Sequence, residues 1–208
     1  EATGLNYAYG TTLYGLKHRG HLTQGETLLI LGAGGNVGLS AVELGKIMGA
    51  RVIACASTEE KLDLCRARGA DETINYATEN LKERAKELTD GQGVDVVYDC
   101  VGGDYAEQAL RAIGWEGRFL VVGFTAGIPS IPLNLTLLKS CQVVGVFYGA
   151  MTARDPKLSA AVTNELIELR SSGELAPHVS GRYSLENAGV AMRAMMDRRA
   201  AGKLVIVP

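Results

Sequence analysis

Apolar positions along this chain follow two alternating rhythms. Short, continuously apolar runs bounded by glycine alternate with longer stretches in which apolar residues recur every three or four positions. The first run, Thr27-Leu28-Leu29-Ile30-Leu31, has no polar alternation, as expected of a strand covered by helices on both faces of its sheet. A glycine-rich turn follows, then a predicted helix through Met48 that Gly49 is placed to end. Further strands are predicted at Arg51 to Cys55, Glu72 to Tyr76, Val94 to Tyr98, Arg118 to Val122 and Gln142 to Phe147. Ser57 with Glu60 reads as a capping box for a helix that runs to Arg68 and stops at Gly69. Leu81, Ala85 and Leu88 share one face of the next helix. Asp104 with Glu107 opens another, which buries Ala106, Ala109, Leu110 and Ile113. A Pro-containing loop (Ile128 to Pro132) precedes a short helix from Asn134.

Six strands joined by helical crossovers predict an α/β fold. Right-handed crossovers give a doubly wound six-stranded parallel sheet in the order 3-2-1-4-5-6. This sheet occupies residues 22–150. Residues 1–21 are expected to form a helix around Tyr7 to Lys17 that leads toward another domain. Residues 151–208 hold a helix (Leu158, Ala161, Val162, Leu166, Leu169), a strand near Val179 to Tyr183, a helix from Leu185 to about Arg198 and a last strand Leu204 to Val207.

Composition narrows the partners. The 208 residues are 47% hydrophobic, which supplies a core for a sheet of this size. Twenty-one basic against 23 acidic residues give a net charge of −2, so there is no basic excess for nucleic acid. No apolar run approaches the roughly 20 residues that span a bilayer, and no basic start leads into a signal stretch. The expected compartment is the cytoplasm, with no nucleic-acid or membrane partner. Cys55, Cys65, Cys100 and Cys141 form no CxxC pair and histidine is scarce, so neither a metal site nor a disulfide framework is expected.

The chemistry concentrates in Gly32-Ala33-Gly34-Gly35-Asn36-Val37-Gly38. It follows a strand and opens a helix, the context of a Rossmann dinucleotide site. The backbone must turn tightly there, a pyrophosphate must reach main-chain N–H groups, and helix and strand must pack closely. Gly34, Gly35, Asn36 and Val37 are the candidate diphosphate contacts, at the positive end of the helix. The second strand ends Ala54-Cys55-Ala56-Ser57-Thr58, without the carboxylate that usually holds an NAD ribose. Ser57 can donate to a 2′-phosphate, Lys61 can supply charge one turn later, and Tyr76 can close the same pocket. These residues favour NADP(H) over NAD(H). The plain alternative makes Ser57 a helix cap, Lys61 a solvated charge and Tyr76 a packing residue. Glu59 and Glu60 count against NADP(H), because either could swing toward a ribose. Cys100, Val101, Gly123, Phe124, Phe147 and Tyr148, at the ends of strands four to six, are expected to line the rest of the cleft.

Several blocks resemble the quinone oxidoreductase (zeta-crystallin-like) branch of the medium-chain dehydrogenase/reductase superfamily. They include Tyr9-Gly10-Thr11-Thr12, the glycine turn, Ser57 with Lys61, Ile74-Asn75-Tyr76, Gly93 to Asp99, Val101-Gly102-Gly103, Gly117 to Gly123 and Gly202-Lys203-Leu204-Val205. The resemblance implies NADPH-dependent reduction of a small-molecule quinone or α,β-unsaturated carbonyl. It matches Ser57, Lys61 and Tyr76 to the 2′-phosphate, Thr11 to the nicotinamide and Lys203 to the cofactor cleft. It also implies an N-terminal GroES-like domain ahead of residue 1, to which residues 151–208 return. The chain is therefore expected to be part of a longer polypeptide. Relatives often pair their sixth strands, so a homodimer through Gln142 to Phe147 is expected. Zinc-dependent alcohol dehydrogenases place a zinc-binding Cys where this chain has Thr3, which implies the zinc-independent branch. No catalytic residue is assigned; Tyr9 and Tyr148 are candidate acids. An enoyl-thioester reductase and a non-enzymatic NADPH-binding module stay open.

Overall fold

The structure, a computed structural model, describes residues 5–197 and 200–207. Strands β1 (Thr27–Leu31), β2 (Arg51–Ala56), β3 (Glu72–Asn75), β4 (Val94–Asp99), β5 (Ile113–Val121) and β6 (Gln142–Gly145) pair in parallel in the order β3-β2-β1-β4-β5-β6. The expected order is the one found. Alternate residues of β1 feed two cores. Leu28 and Ile30 pack with Val42, Leu44, Val96 and Tyr98 on one face, and Leu29 and Leu31 pack with Ile53, Val97 and Leu110 on the other. All four of these β1 side chains are fully buried. Each such side chain contributes about 1.5–3 kcal/mol of hydrophobic free energy, which explains why this strand is apolar without alternation.

Helices close both faces. One face is covered by α1, a continuous helix built from π-helical turns Leu5–Tyr9 and Tyr14–Arg19 around α-helical Gly10–Leu13, with α2 (Asn36–Ile47) beside it. Helix α3 (Glu59–Ala67) packs on β2 and β3. The other face is covered by α4 (Leu81–Glu87), α5 (Gly103–Ala112) and the short α6 (Asn134–Lys139). After β6 the chain forms α7 (Tyr148–Arg154) and α8 (Pro156–Ser172), which pack back on the α1 face. The remainder is a two-stranded parallel ribbon of β7 (Val179–Ser184) and β8 (Lys203–Val207), with a 3-10 turn (Leu185–Asn187) and α9 (Ala188–Met196) between them.

Four local expectations change. Helix α3 is capped by Thr58, whose hydroxyl accepts from the Lys61 amide at 3.4 Å. The extended backbone that a cap requires falls on Thr58, so Ser57 and Glu60 form no capping box. Helix α5 starts from Gly102 at φ +68°, which places Asp104 inside the first turn, and Glu107 pairs with Arg111 one turn on. Strand β5 begins five residues early, at Ile113, through an irregularity between Val94 and Val96. Strand β6 stops at Gly145, and Phe147 caps α7, a helix absent from the apolar pattern.

The loop before β1 is fastened by one ion pair. Arg118 on β5 reaches both carboxylate oxygens of Glu26 at 2.8 and 2.7 Å and donates to the Gly20 carbonyl at 2.9 Å. Burial pushes the Glu26 carboxyl up, but hydrogen bonds from Arg118 and the Thr23 amide outweigh it and hold the carboxyl below its usual value. Stability from this pair is therefore present above the unfolded glutamate pKa of about 4.3 and is lost as pH falls through the lower folded value. Glu26→Gln is expected to cost about 1 kcal/mol at neutral pH. The gap to the wild type should close as pH falls, as measured by urea unfolding across an acid series.

Candidate functional site

β1 pairs with β2 on one side and with β4 on the other, so strand order reverses between β1 and β4. A crevice opens at the carboxyl ends of the strands beside such a reversal. The glycine turn forms its floor. The Ala33 amide donates to the Cys55 carbonyl at 3.0 Å, and the Gly35 amide to the Gly32 carbonyl at 3.0 Å. Helix α2 then starts at Asn36 with Gly35 as a cap that has no side chain. The amides of Asn36, Val37 and Gly38 have no partner one turn back in the helix. They therefore bring donors and partial positive charge to the mouth of the turn, where Gly35 is exposed.

Two contacts make the glycines necessary. A Cβ at Gly38 would lie 2.1 Å from the Gly32 carbonyl oxygen and 2.7 Å from the Ala33 Cα. Helix and strand thus approach backbone to backbone. A Cβ at Gly34 would lie 2.6 Å from the Lys61 Cβ, so the Lys61 stem packs directly over the turn. The stem thus begins at the edge of the anion-binding floor.

The end of β2 forms the neighbouring wall. Ala56 is buried and Ser57 half-buried. The Tyr76 amide donates to the Ala56 carbonyl at 3.2 Å, which sets Tyr76 beside this strand end. Its ring packs against Tyr105 of α5, with centroids 4.4 Å apart and planes tilted by 42°. Glu59 accepts from Asn75 at 3.3 Å and Arg66 at 3.4 Å, so this carboxylate is engaged along α3 and β3.

The opposite wall comes from β4 and β5. The buried Asp99 carboxylate accepts from the amides of Val101 (2.7 Å) and Gly102 (2.9 Å). Burial raises its pKa, and these two amides offset only part of the rise. The Gly123 amide donates to the Asp99 carbonyl at 3.1 Å, and Thr125 to the Cys100 carbonyl at 3.3 Å. Val101 packs on the glycine turn, with a methyl 2.8 Å from where a Gly32 Cβ would stand. Phe124 is 46% exposed on the loop beyond.

The ribbon reaches the same floor. The Gly202 amide donates to the Gly34 carbonyl at 2.9 Å, and Gly202 bridges to Gly35. Lys203 is the next residue. The structure thus gathers Gly34, Gly35, Asn36, Val37, Lys61, Val101 and Lys203 around one turn, with Ser57, Tyr76, Cys100 and Gly123 on its flanks. Thr11 spends its hydroxyl within α1, on the Tyr7 carbonyl at 2.7 Å. Phe147 is largely exposed and Tyr148 is buried. Tyr148 lies against α1, where a Gly10 Cβ would meet its hydroxyl at 2.5 Å, so it is a core side chain. Burial raises the pKa of its hydroxyl. Tyr9 donates to Glu43 at 2.5 Å, and burial followed by the Glu43 charge raises its pKa.

Sequence reasoning missed the buried hydroxyl cluster of Thr12, Ser40 and Tyr98, at 2.7 and 3.0 Å from Thr12. It also missed Asp99 as the clamp of the β4 turn and Tyr105 as the partner of Tyr76. Among the described residues, no group of His, Cys, Asp and Glu could hold a metal ion. Thr3 lies outside the described residues. Gly38→Ala is expected to force helix from strand and to destabilise the protein by about 3 kcal/mol, as measured by chemical denaturation. A wild-type midpoint would contradict the observed close approach.

A family profile described as zinc-binding dehydrogenase matches residues 36–164. A quinone oxidoreductase-like protein 2 homolog from Nematostella vectensis is 40% identical over 99% of this chain and 57% of its own length. The crystal structure of Escherichia coli quinone oxidoreductase complexed with NADPH superposes with a TM-score of 0.88 at 30% identity, covering 98% of this chain and 64% of that one. The crystal structure of an enoyl reductase, CurK, superposes at 0.86 with 27% identity, over 99% of this chain and 61% of that one. The chain thus spans about three fifths of the length of the relatives it matches. It belongs to the zinc-binding dehydrogenase family, in the quinone oxidoreductase branch of the medium-chain dehydrogenase/reductase superfamily, and corresponds to the cofactor-binding part of those proteins.

Proposed function

We propose that this chain binds NADP(H) and serves a zinc-independent oxidoreductase that reduces a quinone or an α,β-unsaturated carbonyl. The observation that carries the cofactor reading is the glycine turn with the Lys61 stem packed across Gly34. It brings the stem of a lysine to the edge of a helix N-terminus suited to a diphosphate. The end of β2 offers Ala56 and Ser57 where a carboxylate would repel a 2′-phosphate. Thr58, not Ser57, caps α3, and Glu59 is held by Asn75 and Arg66, so the objection from that carboxylate weakens. The similar Escherichia coli enzyme was crystallised with NADPH.

When bound, the nicotinamide supplies the hydride. The chain's own residues do the rest. Amides of Asn36 and Val37 hold the diphosphate, Ser57, Lys61 and Tyr76 hold the 2′-phosphate, and Cys100, Val101, Gly123 and Phe124 wall the path toward the reactive end. Lys203 and Phe147 complete the opening. Orientation and exclusion of water are their contribution. The likeness to an enoyl reductase supports enoyl thioesters as the alternative substrate class. NADPH oxidation across quinones, enones and enoyl thioesters, assayed in a polypeptide of the relatives' length, separates the two.

Lys61→Ala is expected to weaken NADPH about tenfold and NADH hardly at all, since one charge-assisted hydrogen bond is worth roughly 1.5–3 kcal/mol. Titration of cofactor fluorescence with both nucleotides checks this, and equal losses would remove Lys61 from the 2′-phosphate. We also propose a homodimer through β6, the open edge of the sheet. Val143 is partly exposed there, and Leu137 and Leu138 of the preceding helix are largely exposed. Val143→Lys is expected to convert a dimer to a monomer in sedimentation analysis. A wild-type monomer would end that proposal.

A further inference from the structure

A chain of polar contacts runs through the protein behind the glycine turn. On α1, Tyr9 donates to Glu43 of α2. The other Glu43 oxygen takes Arg68 at 3.1 Å. Arg68, just past the end of α3, donates to the Ala176 carbonyl at 2.9 Å and to Nδ1 of His178 at 2.7 Å. A guanidinium only donates, so Nδ1 is the acceptor and the imidazole is neutral, with its proton on Nε2. The His178 backbone also faces the Tyr9 hydroxyl and lowers its pKa slightly against burial. Three helices thus fix one residue at the entrance to the ribbon.

His178 in turn touches the glycine turn through a single residue. Gly202 sits against the imidazole, where a Cβ would lie 3.0 Å from its Cδ2 atom, and Gly202 has φ +70°. The Gly202 amide donates to the Gly34 carbonyl, and Gly202 bridges to Gly35. His178 therefore packs directly on the residue that grips the turn.

We propose that Arg68 and His178 are positioning residues for the diphosphate-binding turn, holding Gly202 on Gly34 while His178 is neutral and releasing it when His178 is protonated. This inference rests on the NADP(H) reading above. Protonation of Nδ1 removes the acceptor for Arg68 and sets two cations side by side. Among the described residues, the groups facing His178 are Arg68 from the end of α3, Glu43 from α2 behind it and Tyr9 from α1, with Lys203 as the one charged residue of β8. Burial, then Arg68, lowers the His178 pKa below the ordinary 6.5. The neutral form is thus the folded-state form. The clamp is complete above the ordinary value and is lost as pH falls through the lower folded one.

The test compares wild type, His178→Asn and His178→Leu in the 208-residue chain. Asparagine places an acceptor near the Nδ1 position and does not titrate; leucine offers none. NADPH affinity is measured between about pH 7.5 and about pH 5.5. Ratios between proteins cancel the ligand's own phosphate titration. The asparagine variant should bind within about twofold of wild type at the upper pH and overtake it as pH falls. The leucine variant should bind about tenfold more weakly at the upper pH, the loss of one buried hydrogen bond. Amide exchange at Gly202 provides a ligand-free readout, faster in the leucine variant and wild-type-like in the asparagine variant. A shared pH profile for wild type and asparagine variant, or unchanged Gly202 exchange and affinity in the leucine variant, would overturn the proposal. Absent NADPH binding in all three proteins, with the exchange pattern intact, would instead overturn the cofactor reading and leave the clamp standing.

Discussion

The backbone contact between Gly38 and the Gly32 carbonyl sets the geometry on which the rest of the structure depends. With less space than a single Cβ needs, the first turn of α2 is seated directly on the end of β1. That seat aims the unpartnered amides of the helix at the crevice between β1 and β4. It also requires that β1 not move, and burial of Leu28, Leu29, Ile30 and Leu31 on two faces meets that requirement. Site and core are thus one construction: the strand that is hardest to displace is the one that presents the anion-binding turn.

Around this seat the protein uses polar groups sparingly and in fixed roles. Asp99 is buried although burial raises its pKa, because two amide hydrogens of the β4 turn hold it. Removing that carboxylate would leave the Val101 and Gly102 amides without their acceptor. The Tyr9–Glu43–Arg68–His178 chain does the same at larger scale, tying three helices to the ribbon. Two tyrosines join the same packing: Tyr9 donates to Glu43, and Tyr148 lies against Gly10 of α1.

The exposed apolar residues are not spread evenly. One group lies along α6 and the loop before it, with Leu133, Leu137 and Leu138, and another on the ribbon and α9, with Leu185, Met192, Met195, Met196 and Ile206. Groups of this kind usually mark contact surfaces. Both sit on elements that follow β5, while the crevice side is lined mainly by backbone and small residues.

The sequence by itself determined the sheet, its strand order and the floor of the site. Burial on both faces demands continuous apolar strands, and close backbone approach demands glycine, so both constraints are written locally, in consecutive residues such as Leu28 to Leu31 and Gly32 to Gly38. The nearness of Lys61 to the turn follows in the same way from its place about one helical turn beyond the end of β2. The tertiary structure alone decided which residues meet across long separations. Nothing local in Arg68, Ala176 or His178 announces a shared hydrogen-bond chain, or that Gly202 would close on Gly34 from the far end of the chain. Caps and strand ends were likewise settled by packing: Thr58 displaced Ser57 as the cap, and Phe147 left the sheet to start a helix. Such choices depend on φ and ψ at one residue, which neighbours in space fix and neighbours in sequence do not.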